Sequence, residues 1–250
     1  SVTVVEELDD GVIIEETSVD GVTWSTLPLA LAPAAPPSAG RQQAAIDEWA
    51  AAVSAASPEI PAGPASDILL RRPPRTLSGA DAAPGRLAAS NGDDVEAITR
   101  SLLDLDRSYL AVQGPPGTGK TYVGSHVVAR LVRDHGYRVG VVAQSHAVVE
   151  HMIERIVAAG VPAVQVAKAV SDPDDRTFTV IPKNGMAAFT AEHPEGYVVG
   201  GTAWDFAHES RVPRDSLDLL VIDEAGQFSL ASTIAVSLAA PRLLLLGDPQ

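Results

Sequence analysis

Residues 114–121 have the sequence Gly114-Pro115-Pro116-Gly117-Thr118-Gly119-Lys120-Thr121. They fit the pattern G-x-x-x-x-G-K-[ST], in which glycines let several backbone N–H groups converge on a phosphate chain. The β-favouring run 109–112 precedes this loop, and a helical pattern follows it. The helix would add the positive end of its dipole. All eight residues are therefore predicted to bind a nucleotide, with Lys120 on the β- and γ-phosphates and Thr121 on Mg²⁺.

Outward from this loop, apolar runs and helical patterns alternate. Further strand-like runs occur at residues 139–143, 197–199, 219–222 and 243–246. Helical patterns cover residues 119–134, 147–159 and 226–240, with Gly136 and Gly160 at expected helix ends. Asp93 and Glu96 have capping-box spacing and predict one more helix, which continues to Leu105. Continuous apolar strands between helices predict an α/β fold, a parallel sheet covered by helices on both faces.

Two carboxylates follow the apolar run 219–222. A strand there would place Asp223 at the carboxyl edge of the sheet, where open α/β folds bind ligands. We predict that Asp223 binds Mg²⁺ through water and that Glu224 is the general base for the attacking water. The alternative is that this acidic pair caps the next helix. The run 243–246 ends similarly, at Gly247 and Asp248, and alone indicates a buried strand followed by a turn.

The first ninety residues differ in composition and pattern from the rest of the chain. Residues 1–40 hold seven acidic and no basic residues, and their short β-favouring runs, separated by Asp-Gly turns, predict the remnant of a small antiparallel sheet or barrel. Ile46, Trp49 and Val53 predict an amphipathic helix over residues 41–56. Residues 57–90 are rich in Pro, Ala and Gly and predict an extended connector. Its cluster of Arg71, Arg72 and Arg75 fits a solvated linker patch better than a nucleic-acid contact.

Composition excludes several classes of protein. The net charge of −14 argues against nucleic-acid binding by bulk electrostatics, although a local basic groove is compatible with it. The absence of cysteine excludes disulfides, thiolate zinc sites and iron–sulfur clusters, and the six histidines have no metal-ligand spacing. There is no signal peptide and no apolar run of the ~18 residues that span a membrane, so we expect a cytoplasmic protein without a membrane partner. The start at Ser1 without methionine suggests a fragment.

Four segments together carry a family resemblance. They are the loop 114–121, Val141-Val142-Ala143-Gln144-Ser145-His146-Ala147-Val148-Val149, Asp223-Glu224-Ala225-Gly226-Gln227 and Gly247-Asp248-Pro249-Gln250. In this order they resemble superfamily-one helicases. More narrowly, they are similar to the 5′→3′ branch that includes the nonsense-mediated-decay helicase and the DNA-replication helicase–nucleases. The resemblance covers residues 91–250 and implies a RecA-like P-loop motor domain that uses ATP and Mg²⁺.

The resemblance also implies contacts with single-stranded DNA or RNA. Gln144, Ser145 and His146 match the segment that touches the strand backbone, although His146 could equally be a helix cap. Thr202 matches a threonine that meets a phosphate. Trp204 could stack on a base, but a tryptophan beside a buried strand is more often part of the core. Gln227 matches the residue that couples the nucleotide to the strand side, with simple surface polarity as the alternative.

The implied organisation is a partial accessory β-barrel and linker (1–40), a stalk helix and Pro-rich connector (41–90), and the motor domain (91–250). A second motor domain of the same parent chain, with its arginine finger, is the expected partner. Residues 91–107 lack the glutamine that binds adenine in this family, and Glu96 is the nearest polar substitute. The rival functions are another type of P-loop ATPase and a nucleotide-gated binding module without hydrolysis. Intact Lys120 and Glu224 argue against the binding module.

Overall fold

A computed structural model describes residues 2–8, 11–18, 21, 26, 39–80, 87–170 and 176–248. The chain divides into two compact units, residues 1–38 and 39–250. In the first unit, strands β1 (Val2–Leu8) and β2 (Gly11–Glu16) form an antiparallel pair, as predicted. The strand expected at residues 22–24 lies outside the described residues, and the barrel stays a prediction.

The second unit is built on a seven-stranded sheet in which every neighbouring pair is parallel. Its strands are β3 (Tyr109–Gln113), β4 (Arg138–Val142), β5 (Val166–Lys168), β6 (Thr179–Val180), β7 (Tyr197–Gly201), β8 (Leu219–Ile222) and β9 (Leu243–Gly247). Their order across the sheet is β3-β9-β8-β4-β7-β5-β6. All five strands predicted from apolar runs are confirmed. The short strands β5 and β6 were not predicted, because two or three residues carry no recognisable periodicity.

Helices cover both faces of this sheet, as expected. The α-helices of the second unit, within the described residues, are α1 (Gly40–Ala56), α2 (Pro64–Leu69), α3 (Asp94–Leu103), α4 (Lys120–His135), α5 (His146–Ala158), α6 (Met186–Glu192), α7 (Ala203–Ala207) and α8 (Leu230–Ser237). Alternate residues of β8 enter two different buried clusters. Leu219 and Val221 pack with α3, α4 and α5, whereas Leu220 and Ile222 pack with residues of α6, α7 and α8. The period-2 alternation of a strand thus divides the core into two layers.

Local signals at the helix ends are mostly confirmed. Asp93 caps α3 by accepting from Glu96 N at 2.9 Å, but the Glu96 carboxylate pairs with Arg130 of α4 at 2.7 Å instead of completing the capping box. Gly136 ends α4 in the left-handed conformation, with φ 64°. The helix predicted from residue 226 begins only at Leu230, because residues 223–227 form a turn.

The extended connector predicted for residues 57–90 is wrong in its central part. Helix α2 forms there, begun by Pro64 at a position where its missing N–H costs nothing. The α2 residue Asp67 is fully buried and accepts from Arg75 Nη1 at 2.9 Å and from Ser108 Oγ at 2.8 Å. Arg75 therefore anchors the connector beside the start of β3, and it is not part of a solvated linker patch.

The predicted helix over residues 41–56 is confirmed as α1, which packs within the second unit. Glu48 of α1 pairs with Arg214 at 2.8 Å, and Gln42 accepts from Ser232 of α8 at 3.3 Å. The domain boundaries at residues 40 and 90 stay predictions. None of the helices that the model describes has the length and apolarity to cross a bilayer.

Gly140 offers a test of the packing at the centre of the sheet. A Cβ atom there would lie 2.7–2.8 Å from side-chain carbons of Leu220, Phe206 and Leu217. Because these side chains leave no space for a methyl group, we expect Gly140→Ala to lower the free energy of unfolding by about 1–3 kcal/mol. Urea unfolding followed by circular dichroism measures this. Gly63→Ala is the control, since nothing lies within 4 Å of its Cβ position. Equal free energies of unfolding for the two variants would contradict the close packing around Gly140.

Candidate functional site

Four strand ends meet at the carboxyl edge of the sheet and are joined by main-chain hydrogen bonds. Gly114 N, just after β3, donates to Gly247 O of β9 at 3.3 Å. Ala225 N, after β8, donates to Leu246 O of β9 at 2.8 Å. Asp223 N donates to Val142 O at the end of β4 at 3.0 Å. The loop 114–119 and the carboxylate pair 223–224 are thereby fixed on either side of the end of β9.

The loop 114–119 has the conformation that its glycines permit. Gly117 and Gly119 have φ values of 80° and 85°, where a side chain would be strained. A Cβ on Gly114 would lie 2.6 Å from Thr118 Oγ1. Helix α4 starts directly after Gly119 without a side-chain cap, so its first N–H groups are left for another acceptor. These features fit an anion at this helix end.

Lys120 makes three contacts at the base of this loop. Its Nζ donates to Gly114 O at 2.6 Å, to Pro115 O at 2.9 Å and to the Asp248 carboxylate beyond β9. An ammonium group has three donors, so all of them are used. The Lys120 charge is thus held by the loop itself and by one carboxylate.

The carboxylate pair combines burial with backbone strain. Asp223 is 6% exposed, and its Oδ1 accepts from Glu224 N at 3.0 Å. Burial raises the pKa of Asp223; the Glu224 charge also raises it, while the Glu224 N–H, His151 and Lys120 act in the opposite direction. Glu224 has a φ of 52°, a left-handed conformation that is unusual for a residue other than glycine and recurs at functional sites. The alternative helix-cap role of this pair is wrong, because Ser229 caps α8.

A cavity of about 620 Å³ unites the two halves of the site. It is lined by Pro116, Lys120, Thr121, Ala147, Val148, His151, Asp223, Glu224, Gly226, Gln227, Leu246, Gly247 and Asp248. Every candidate catalytic or metal-binding residue thus faces one cleft, together with Gln227. His151 and Asp248 were not assigned to the site from the sequence. The signal for Asp248 was its position after a buried strand, which matches that of Asp223.

The cleft fits a magnesium–nucleotide complex better than a bare metal ion. Thr121 and Asp223 supply one hydroxyl and one carboxylate, and Mg²⁺ is commonly held by few protein ligands plus phosphates and water. Across the described ranges, no group of three or more His, Asp or Glu side chains could hold a metal ion. Two protein donors would leave the other coordination positions of Mg²⁺ to phosphate oxygens and water.

The residues predicted to touch a strand lie further along the same edge. Gln144, Ser145 and His146 follow β4, and Thr202 follows the adjacent β7, in which Gly201 is paired with Val142. Ser145 caps α5 by accepting from Val148 N at 3.3 Å. The side chains of Gln144, Ser145 and His146 are exposed.

Thr202 and Trp204 differ in their surroundings. Thr202 N and Oγ1 both donate to Asp205 Oδ2, at 2.8 and 2.7 Å, so this threonine organises the start of α7. Trp204 is 43% exposed. The alternative that Trp204 is part of the core is therefore wrong.

The sequence matches the model of one protein family, described as AAA domain, over residues 92–250. The chain belongs to this family. It is 28% identical over 162 residues to the DNA replication ATP-dependent helicase/nuclease JHS1 of Arabidopsis thaliana, covering 63% of the chain and 12% of that protein. It is 36% identical over 90 residues to the Regulator of nonsense transcripts 1 homolog of Drosophila melanogaster, covering 36% and 7%. These relatives confirm the helicase resemblance of this AAA domain.

The AAA domain spans only about a tenth of the length of these curated relatives. A solved structure with some likeness is a nuclease-deletion mutant of the Type ISP restriction-modification enzyme LlaGI in complex with a DNA substrate mimic. Its TM-score is 0.47 at 15% identity, over 64% of this chain and 17% of that one.

Burial of Asp223 has a measurable consequence for stability. Because its pKa is raised, the folded state holds the proton more tightly than the unfolded state, and stability falls as pH rises from the ordinary aspartate pKa through the raised one. Without magnesium or nucleotide at pH 7.5, we expect Asp223→Asn to raise Tm by about 2–4 °C, the shift that roughly 1 kcal/mol produces. Scanning calorimetry between pH 4 and 8 should show this gain shrinking towards low pH. Asp106→Asn, at an exposed position, is the control. A similar gain in Tm for this variant would contradict burial of Asp223 as the cause.

The contact between Lys120 and Asp248 predicts a change in nucleotide affinity. A phosphate chain must compete for the Lys120 ammonium, and the Asp248 partner is 46% exposed, so its contribution is small. We expect Asp248→Asn to tighten magnesium-free ATP binding by about two- to fivefold, which corresponds to the usual strength of exposed ion pairs. Titration with a fluorescent ATP analogue measures this. Asp215→Asn removes another exposed ion pair, with Arg107, and should leave affinity unchanged.

Proposed function

We propose that this chain is the ATP-hydrolysing motor domain of a superfamily-one helicase, which moves along single-stranded DNA or RNA as part of a longer protein. The observation that carries the proposal is the single cleft shared by the loop 114–121 and the carboxylates Asp223 and Glu224. The names of the relatives support the same function. The proposed cofactors are ATP and Mg²⁺.

Each functional residue of the cleft has a separate proposed role. The N–H groups of the loop and of the start of α4 would hold the phosphates, and Lys120 would leave Gly114 O and Asp248 to contact the β- and γ-phosphates. Thr121 and Asp223 would hold Mg²⁺, which supplies neutralisation of phosphate charge. Glu224 would orient the attacking water and accept its proton. The fixed left-handed backbone at Glu224 keeps this carboxylate in the cleft.

The strand would lie across the neighbouring part of the edge. Gln144, Ser145, His146, Thr202 and Trp204 are the proposed contacts, with Trp204 exposed for stacking. The hydrogen bond from Asp223 N to Val142 O connects the metal-binding end of β8 with the chain that leads into Gln144. Gln227, which lines the cleft, is proposed to couple the two sites.

Some features of the proposal concern the parent protein. A second motor domain would complete the cleft with an arginine, and the cytoplasmic location stays a prediction. The Glu96 carboxylate is paired with Arg130, which argues against Glu96 taking the place of the adenine-binding glutamine.

The alternative function is a nucleotide-gated binding module, in which Glu224 would have no chemical role.

Glu224→Gln in the full-length parent distinguishes these functions. A glutamine keeps the shape of the side chain but cannot accept a proton, so we expect ATP turnover to fall by about 10²–10⁴-fold while ATP affinity is retained. Steady-state hydrolysis and equilibrium titration measure the two quantities. Glu209→Gln, at an exposed position, should preserve turnover. Normal turnover of Glu224→Gln would overturn the assigned role.

A further inference from the structure

A buried lysine lies behind the proposed strand-binding edge. Lys168, at the end of β5, is 1% exposed. Its Nζ lies 2.8 Å from Glu150 Oε1, 3.1 Å from Ala169 O and 3.0 Å from His146 Nδ1. Three acceptors thus surround the three donors of one ammonium group. Burying a charge is costly unless it is fully paired, so this arrangement accounts for a lysine in the core.

The chemistry of the ammonium group decides the state of His146. A lysine ammonium only donates hydrogen bonds, so His146 Nδ1 must accept from it. An imidazole whose Nδ1 accepts is neutral and carries its proton on Nε2. His146 is exposed, so this Nε2–H is available to an acceptor outside the protein.

The Lys168 side chain passes over strand β7 to reach His146. Lys168 is paired in register with Gly200 of β7. A Cβ on Gly200 would lie 3.3 Å from Lys168 Cδ and 2.8 Å from Val149 Cγ1. The missing side chain at Gly200 therefore leaves room for the lysine stem between β5 and α5.

The other charged groups at His146 keep the cluster in place. Glu150 of α5 binds Lys168 with one oxygen and Arg176 Nη1 with the other, at 2.9 Å. Burial opposes the ionised form of Glu150, but the contacts with Lys168 first, and then the charge of Arg176, outweigh it and lower the pKa of Glu150. Glu150 is thus an ionised anchor that holds the ammonium group against the ring.

We propose that Lys168 is a positioning residue: it fixes His146 as the neutral Nε2–H tautomer, so that His146 donates one hydrogen bond to a phosphate oxygen of a bound single strand. The proposal rests on the strand-binding edge described under the proposed function. It adds a residue that the sequence patterns did not single out and assigns a donor to a specific ring nitrogen.

The first test reads the tautomer directly in the wild-type 250-residue chain. Nitrogen-15 spectra of selectively labelled histidine distinguish a protonated from an unprotonated ring nitrogen, and His146→Gln assigns the signal. We expect an unprotonated Nδ1 and a protonated Nε2 at pH 7.5. His126 and His193 are internal references with the opposite tautomer, because their Nδ1 atoms lie 2.8 and 2.9 Å from carbonyl oxygens. A proton on Nδ1 of His146 would overturn the proposal.

The second test measures binding of labelled oligo(dT) and oligo(U), which separates a DNA from an RNA ligand. A glutamine amide nitrogen reaches the position of Nε2, whereas that of asparagine reaches only the position of Nδ1. We therefore expect His146→Asn to weaken binding about tenfold and His146→Gln to retain most of it, the loss being that of one hydrogen bond to a charged group.

Lys168→Met completes the second test and separates positioning from bulk charge. It should weaken binding about as much as His146→Asn, and the two together should lose little more. The control is Lys183→Met, which removes the same charge at an exposed position. Folding of each variant is checked by circular dichroism. If Lys168→Met alone unfolds, its combination with Glu150→Gln removes both charges of the Lys168–Glu150 pair.

The possible failures can be told apart. Wild-type affinity in a folded Lys168→Met variant, or equal binding of His146→Asn and wild type, would overturn the positioning role alone. Absence of oligonucleotide binding by the wild-type chain would overturn the donor role together with the strand-binding edge. Intact ATP binding in that case would leave the nucleotide half of the proposed function standing.

Discussion

Three main-chain hydrogen bonds hold the site together, each made just beyond the end of a strand. They run from Gly114 to Gly247, from Ala225 to Leu246 and from Asp223 to Val142. Parallel strands all finish at one edge, so loops that are distant in sequence arrive side by side. These bonds then fix the loops relative to one another. The cleft depends on this arrangement, because neither the loop 114–121 nor the carboxylate pair has a complete site alone.

The same arrangement concentrates unfavourable features at the edge. Asp223 is a carboxylate whose pKa is raised by burial, and Glu224 adopts a left-handed backbone. Lys120 is held by two carbonyls of its own loop and by Asp248. Strain of this kind persists only where the surrounding fold over-determines it. Here the rigid β8 and β9, buried in the middle of the sheet, provide that support.

The order of strands also separates two chemical environments along the edge. β3, β9 and β8 carry the phosphate loop, Asp248 and the carboxylate pair, whereas β4, β7 and β5 carry the exposed segment 144–146, Thr202 and Lys168. Two glycines within the sheet make this layout possible. Gly140 admits Phe206 and Leu217 against β4, and Gly200 leaves space for the stem of Lys168. A local positive charge behind the edge is compatible with a chain whose net charge is −14.

Apolar runs and short motifs predicted five of the seven described strands of the parallel sheet and helices α1, α3, α4 and α5. They also predicted six residues that line the cleft: Pro116, Lys120, Thr121, Asp223, Glu224 and Gln227. Such signals are local, since periodicity and loop chemistry act over a few neighbouring residues. Helix α2 with its Asp67–Arg75 pair and the late start of α8 were not predicted. Nor were the contacts of Lys120 with Asp248, 128 positions away, and of Lys168 with His146, 22 positions away. No residue in these pairs carries a sequence signal for its partner, because only the packing of parallel strands brings them together.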